Sequence, residues 1–388
     1  MNIVGVIAEY NPLHNGHIYH LNEAKKIAGA DAVIVAMSGN FVQRGEPAIL
    51  DKWERSELAV LNGADLVIEI PTVFSLGNAR QYSRAAVMLL ESLGCVSHLA
   101  FGSESGDINQ LKEIADNIKH LPDTEISEYY KRGYTYPKAR EITYKMIYGD
   151  DAPFINGSND VLAVEYINYC KSIKPIAIKR LGAGYSENSI CDNSFQSATA
   201  IRNAVYNGVS IKDFVPNNVY ERITKCINNS NEVFKLLKYV IISSSSDEID
   251  SCISGDKGIG NRMKEIIVST NDLDSFIQSV KTKNLTYSRI SRLCMQLLLN
   301  IKNINYTPEY IRLLALNGKG RKIISYIENK EINSLPIITN INKSQSSLSK
   351  EAINMLEIDT RAMDVYNLIS NRNTYSYSDY VKHPFILE

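Results

Sequence analysis

The sequence has no pair of cysteines at metal-binding or redox spacing. Its 6 cysteines, Cys95, Cys170, Cys191, Cys226, Cys252 and Cys294, are widely scattered. That pattern fits reduced structural thiols and argues against a disulfide framework or a thiolate metal site. No apolar run approaches the ~20 residues of a membrane span, and the apolar residues at Ile3 open a strand, not a signal layout. The expectation is a cytoplasmic protein with no membrane contact. Net charge is only −1, so no overall basic excess points to nucleic acid. Histidine is scarce, with 6 in 388 residues, and His14, His17 and His20 fall within one short segment. At 44% hydrophobic and 22% charged residues the chain is an ordinary globular one, long enough for two or three domains.

That histidine segment is the most informative part of the chain. Ile3 to His20 reads IVGVIAEYNPLHNGHIYH, an apolar strand, a short polar turn and then a helix. A helix N-terminus placed there offers unpaired backbone N–H groups and a partial positive charge, which suit a polyphosphate. Gly16 lets the backbone approach phosphates without a Cβ in the way. His14 and His17 can donate hydrogen bonds to phosphoryl oxygens and stabilise charge that grows there during displacement. A spacing of three invites a zinc reading, but no nearby cysteine or carboxylate completes a tetrahedral set, so no protein-held metal is expected. His20 lies further into the helix and reads as a partly buried support.

Short apolar runs without strong alternation, Ile3–Ala8, Ala32–Met37, Leu66–Ile70, His98–Phe101 and Ile176–Lys179, read as strands of a parallel sheet buried on both faces. Helical patterns lie between them. Ile18, Leu21, Ala24 and Ile27 recur at helical spacing. Asp51 with Glu54 forms a candidate capping box, and Ala85–Leu93 ends at Gly94. The alternation predicts a doubly wound, Rossmann-like α/β domain over residues 1–210, with a helical insertion at 107–172. Such sheets bind ligands beyond the C-terminal strand ends. The loops Met37–Pro47, Gly102–Gly106 and Arg180–Tyr185 should therefore gather with the histidine turn around one cleft.

Ser197-Ala198-Thr199-Ala200-Ile201-Arg202 precedes another helix. Read alone it is an ordinary Ser/Thr cap; beside the histidine turn it becomes a candidate triphosphate site through Thr199 and Arg202. Beyond about residue 210 the texture turns helical, predicting a mainly α-helical domain over 211–388. Residues 1–210 carry a net −5 and residues 211–388 a net +4. Between 281 and 322 lie nine basic residues, among them Arg289, Arg292, Lys319 and Arg321, against the single acid Glu309. Tyr287, Tyr306 and Tyr310 are interleaved. A solvated helical face is one reading; the near absence of acids favours RNA.

The stretches GVIAEYNPLHNGHIYH, AMSGNFVQRGEPA, DLVIEIP and FGSESGD closely resemble the bacterial tRNA(Met) cytidine acetate ligase family. MSGNFVQRGEP is more particular to it than the His-x-Gly-His string, which many nucleotidylyltransferases share. The Ser-x-Thr-x-Ile-Arg segment resembles that superfamily's second phosphate motif without its consecutive serines. The resemblance implies an enzyme that activates acetate with ATP as acetyl-adenylate and acetylates the wobble cytidine of elongator tRNA(Met). AMP and pyrophosphate would leave, with Mg²⁺ neutralising the pyrophosphate. ATP would lie along Ile7, Ala8, Glu9, Tyr10, Asn11, Pro12, Leu13, His14, Asn15, Gly16, His17, Ile18, Tyr19 and His20. Gly102, Asn159, Arg180, Thr199 and Arg202 would add contacts. His14, His17 and Ser38 would be the catalytic residues, with Ser38 and Arg44 candidates to hold acetate or the cytosine. The basic C-terminal half would grip the tRNA; no protein partner is expected.

Two other readings stay open on the residues alone. One is a nucleotidylyltransferase acting on a small phosphorylated metabolite, the commoner use of such a fold. The other is a non-catalytic, nucleotide-sensing RNA-binding adaptor, against which the presence of both His14 and His17 counts.

Overall fold

A computed structural model describes residues 1–155, 157–180, 195–223, 230–302 and 307–388. The loop Gly182–Tyr185 expected at the cleft rim, Cys191, Cys226 and Tyr306 lie outside the described residues. The other four cysteines are free thiols.

The five expected strands form in order along the chain as β1 (Ile3–Ala8), β2 (Ala32–Ser38), β5 (Leu66–Ile70), β6 (His98–Ser103) and β7 (Lys174–Lys179), and the stretch read as a loop after β2 holds a short pair, β3 (Phe41–Val42) and β4 (Glu46–Pro47). Three more follow, β8 (Ile311–Leu316), β9 (Ile337–Ile338) and β10 (Phe385–Ile386). The main sheet runs β10-β8-β5-β2-β1-β6-β7, with β9 also on β8, while β3 and β4 make a separate antiparallel hairpin. All pairings in the main sheet are parallel except β5 with β8.

Every residue of β2 is buried, and its side chains alternate between two cores. Ala32, Ile34 and Ala36 enter the core on one face, and Val33, Val35 and Met37 that on the other. This is the two-residue period of a strand covered by helices on both faces. The α/β expectation is met, and the chain beyond residue 211 is mainly helical, with helices such as Ser230–Ser243, Ile259–Ile267, Tyr287–Leu298 and Lys350–Ile369. That half also returns to the sheet through β8, an addition the sequence reading did not contain. Arg312 interrupts the apolar pattern of β8, yet it is buried against Glu69 and Asp379 at 3.7 and 3.6 Å.

Among the described residues no helix is long and apolar enough to cross a membrane. Between β6 and β7 the chain forms four helices, Ile108–Lys119, Asp123–Lys131, Tyr136–Tyr148 and Ser158–Tyr169.

The C-terminal ends of β1 and β2 are tied together from beneath. Arg55, buried in the helix Lys52–Leu61, donates to the carbonyl oxygens of Leu50 (2.9 Å), Glu9 (2.6 Å), Ser38 (3.1 Å) and Gly39. A planar guanidinium with five donors is suited to such a multi-carbonyl clamp. Asp51 caps that helix by accepting from the Glu54 amide at 2.8 Å. The Glu54 carboxylate pairs instead with Arg372 at 3.0 Å.

Candidate active site

The cleft opens where that clamp holds the strand ends. Tyr10 takes a φ of 48°, turning the chain out of β1 toward the helix Asn15–Ala28. His14 is the helix cap. Its Nδ1 accepts from the Gly16 amide at 3.1 Å, while the His14 amide donates to His17 Nδ1 at 3.3 Å. The two rings stack at 3.7 Å between centroids, and Tyr10 meets His17 edge-on at 5.0 Å.

This reciprocal capping sets the chemistry of both rings. With Nδ1 used as an acceptor, a neutral imidazole carries its proton on Nε2. Burial pushes His14 down to about 3, helped by the Arg180 charge. Burial also holds His17 well below the usual histidine range, assisted by its neighbours His14, His20 and Arg180. Burial pushes His20 down to about 4. Near neutral pH the cleft therefore presents two neutral Nε2–H donors beside the N-terminus of a helix.

Most residues expected around this turn do line the cleft: Ile7, Ala8, Glu9, Tyr10, Asn11, His14, Gly16, His17, Tyr19 and His20, together with Arg44, Gly102, Asn159, Arg180 and Arg202. Pro12, Leu13, Asn15 and Ile18 shape the turn without being in the wall. Asn15 faces away, donating through Nδ2 to the Asp213 carbonyl at 2.9 Å. A side chain at Gly102 would meet only the Arg180 stem, at 3.5 and 3.9 Å, leaving that part of the cleft open to a ligand.

Other expected residues are committed to protein partners. Ser38 is fully buried outside the wall, its hydroxyl donating to the Tyr82 hydroxyl at 3.4 Å, and it is Tyr82 that lines the cleft. Asn159 donates through Nδ2 to Glu104 Oε1 at 2.6 Å, so a carboxylate already caps the helix Ser158–Tyr169. Ser197 caps the helix Ala198–Tyr206. Thr199 is not in the wall; it sits 3.5 Å from Arg202 Nη2. Arg202 donates to the Asn11 carbonyl at 2.7 Å and pairs with Glu46 at 2.7 Å.

The segment 41–47 bridges the two halves of the molecule. Gln43 donates its amide to Glu9 Oε1 at 2.8 Å on the cleft side. On the other side Ser291 donates to the Gly45 carbonyl at 2.7 Å, and Gly45 rests on the backbone of Ser291 and Arg292. The four basic residues expected to meet RNA do not converge. Arg289 donates to the Ser254 and Gly255 carbonyls and the Tyr130 hydroxyl. Arg292 is buried behind the hairpin, and burial lowers it to about 10. Lys319 and Arg321 are exposed at the opposite end of the sheet, where Lys319 Nζ reaches the Asp31 carbonyl ahead of β2.

Tyr82, Gln43, Phe101, Tyr166, Phe195 and Gln196 also line the wall and were not singled out from the sequence. Only the family-like stretches around Gln43 and Phe101 carried any signal for them. Among the described residues no group of three or more His, Cys, Asp or Glu side chains could hold a metal ion.

The comparisons with known proteins agree with this geometry over the whole length. A family model described as HIGH Nucleotidyl Transferase matches residues 1–380. A tRNA(Met) cytidine acetate ligase of Clostridium perfringens is 37% identical over 414 aligned positions, covering 100% of both chains. One from Clostridium novyi is 34% identical with the same coverage. The crystal structure of apo Thermotoga maritima TmcAL superposes with a TM-score of 0.91 at 31% identity over 100% of each chain. A second form of that protein, bound with alpha-thio ATP, gives 0.87 at 30% identity and the same coverage. The histidine-capped turn and this end-to-end likeness have one reading: the chain belongs to the HIGH Nucleotidyl Transferase family and, within it, to the tRNA(Met) cytidine acetate ligases.

Proposed function

We propose that this protein joins acetate to the wobble cytidine of elongator tRNA(Met), using ATP to activate the acetate as acetyl-adenylate. The observation that carries the reading is the stacked, neutral His14–His17 pair at a helix N-terminus, in a chain similar over its full length to such ligases. A carboxylate oxygen is a poor leaving group, whereas AMP departs readily from an acyl phosphate. Attack of acetate on the α-phosphorus needs positioning and charge stabilisation more than acid–base chemistry. Two preset Nε2–H donors and the Arg180 guanidinium supply that stabilisation without having to reorganise.

In this reading the triphosphate lies along residues 7–20, with Gly102 and Asn159 beside the nucleoside. Arg202, tied to Asn11, holds the turn from below, with Thr199 against its guanidinium. Arg44 holds the acetate carboxylate, and Ser38 positions Tyr82 in the wall. Magnesium arriving with ATP would be held chiefly by phosphate oxygens, where it would neutralise the departing pyrophosphate. Residues 1–210 carry the chemistry, and the helical segment beyond 211 serves tRNA binding through exposed basic groups such as Lys319 and Arg321, phosphate contacts giving the affinity. Arg289 and Arg292 instead brace the helix Tyr287–Leu298 and the 41–47 hairpin at the mouth of the cleft, away from that surface.

The test is nucleoside mass spectrometry on tRNA incubated with the protein, ATP, Mg²⁺ and labelled acetate. Label in 4-acetylcytidine, lost in His17→Ala, is the expected result. ATP consumption only in the presence of a phosphorylated metabolite, with no label in tRNA, would instead support a small-molecule nucleotidylyltransferase.

A further inference from the structure

Among the described residues of the cleft wall Glu9 is the one acid, standing with the cations Arg44, Lys179, Arg180 and Arg202 and the histidine pair. Two of the three substrates proposed above, ATP and acetate, are anions. A carboxylate in their cleft works against the binding of both. Its use must lie with the third substrate, whose reacting group is an exocyclic amine: a hydrogen-bond donor that has to lose a proton.

The side chain is held as such a role requires. Its backbone carbonyl accepts from Arg55 at 2.6 Å, and its Oε1 accepts from the Gln43 amide at 2.8 Å. The first bond fixes the residue at the end of β1, and the second fixes the carboxylate plane against the 41–47 hairpin. Charged groups face it from each neighbouring element: Arg44 and Glu46 from the hairpin, Arg202 from the helix Ala198–Tyr206 and Arg55 from below. Burial is the largest influence on its proton affinity and raises it above the usual carboxylate range, although Arg44 opposes the shift. A stronger base than a surface carboxylate results.

We propose that Glu9 is the general base of the second half-reaction, accepting the proton that the cytidine N4 amine loses as it attacks acetyl-adenylate. The N4 lone pair forms the C–N bond to the acetyl carbon. The C–O bond to the adenylate phosphate breaks, AMP leaves with that electron pair, and the N4 proton passes to the Glu9 carboxylate and then to solvent. The proposal rests on the acetate-ligase reading.

The two half-reactions separate the possibilities. Glu9→Gln keeps a carbonyl oxygen to accept from the Gln43 amide and removes the basicity. Because Glu9 lies in the stretch proposed to run along ATP, acetate-dependent ATP–pyrophosphate exchange by Glu9→Gln should fall as well, by about tenfold at most. Single-turnover transfer of labelled acetyl to tRNA should fall about 100-fold or more, the usual weight of a general base. Transfer by the unaltered protein should rise with pH and level off as Glu9 ionises, a rise absent in Glu9→Gln and retained at lower rate in Glu9→Asp. Exchange that falls as far as transfer would mark Glu9 as a nucleotide, metal or structural residue and overturn the proposal, as would transfer that survives intact. Absence of both exchange and 4-acetylcytidine in the unaltered protein would overturn the acetate-ligase reading itself.

Discussion

Gly45, at a φ of 86°, lies flat against the backbone of Arg292, and a side-chain carbon there would run into the Arg292 amide nitrogen. The contact joins the hairpin at the mouth of the cleft to the helix Tyr287–Leu298, and so links two stretches nearly 250 residues apart in the chain. On the cleft side the same hairpin holds Glu9 and Arg202.

Gly45→Ala should therefore cost both stability and activity. Left-handed backbone alone costs an L-residue about 1–2 kcal/mol, and a collision with backbone adds to it because backbone cannot rotate away. Gly29 is the control, with a φ of 56° and nothing within 4 Å of the point where a side-chain carbon would stand. Urea melts of Gly29→Ala should show the conformational cost only, with acetyl transfer intact. Gly45→Ala should lose at least about 2 kcal/mol and most of its transfer activity.

Removing either histidine separates binding geometry from folding. On the proposed reading, His17→Ala removes one preset donor to the phosphates, an effect usually worth about 100- to 1000-fold in rate. His14→Ala also removes the acceptor of the Gly16 amide and His17→Ala that of the His14 amide, so each should lose about 1 kcal/mol of stability besides. Acetate-dependent pyrophosphate exchange together with thermal melts would reveal the split. Either variant melting like the unaltered protein would contradict the capping assignment.

Low pH should unfold this protein early. His14 and His20 are held at about 3 and about 4 mainly by burial, from an ordinary 6.5, and His17 is lowered in the same direction. Below 6.5 the unfolded chain binds protons on these residues that the folded chain refuses. Their contribution is therefore complete above about pH 6.5 and declines as pH falls toward 4, by up to about 1.4 kcal/mol per pH unit for each histidine. Urea unfolding between pH 7.5 and 4.5 should show that slope. His20→Gln, which removes one such proton site, should make it shallower.

The five expected strands could be read from the sequence because each carries a short apolar run; β2 and β5 are buried on both faces, while β7, at the sheet edge, is only partly covered. β8 could not, since Arg312 within it looks like a surface residue until Glu69 and Asp379 are brought beside it. The histidine turn was legible for a local reason: strand, turn, cap and helix are contiguous in the chain. Arg55 and Tyr82 carry no such local signal. Their importance comes from four backbone carbonyls and one hydroxyl that only the tertiary fold assembles. Arg202 looked like a free phosphate ligand, because Glu46, its ion-pair partner, lies 156 positions earlier in the chain.

The chain's end is predicted to be structural in the same sense. Asp379, close to the C-terminus, accepts from Lys52 Nζ at 2.6 Å and from Trp53 Nε1 at 3.0 Å. Lys52 also reaches both Glu69 oxygens, at 2.7 and 2.8 Å, and all four charged side chains of the group, Lys52, Glu69, Arg312 and Asp379, are buried. Two cations stand among these two carboxylates and the nearby buried Asp359, and burial pushes Glu69 up to about 7. Burial opposes the Lys52 charge, but Asp379 and Glu69 outweigh it, and Lys52 with Arg312 in turn keeps Asp379 ionised. Lys52→Met leaves two buried carboxylates facing one guanidinium at 3.6–3.7 Å, and should cost about 3–5 kcal/mol. Lys52→Met with Asp379→Leu leaves Glu69 facing Arg312 without an added unpaired charge, and should be less damaging than the sum of the two single changes. A double-mutant cycle by urea unfolding measures this directly. Strict additivity would mean that the charges do not act as one group. Coupling of about 2 kcal/mol or more would show that the C-terminal segment pins the helix Lys52–Leu61, and through Arg55 the floor of the cleft.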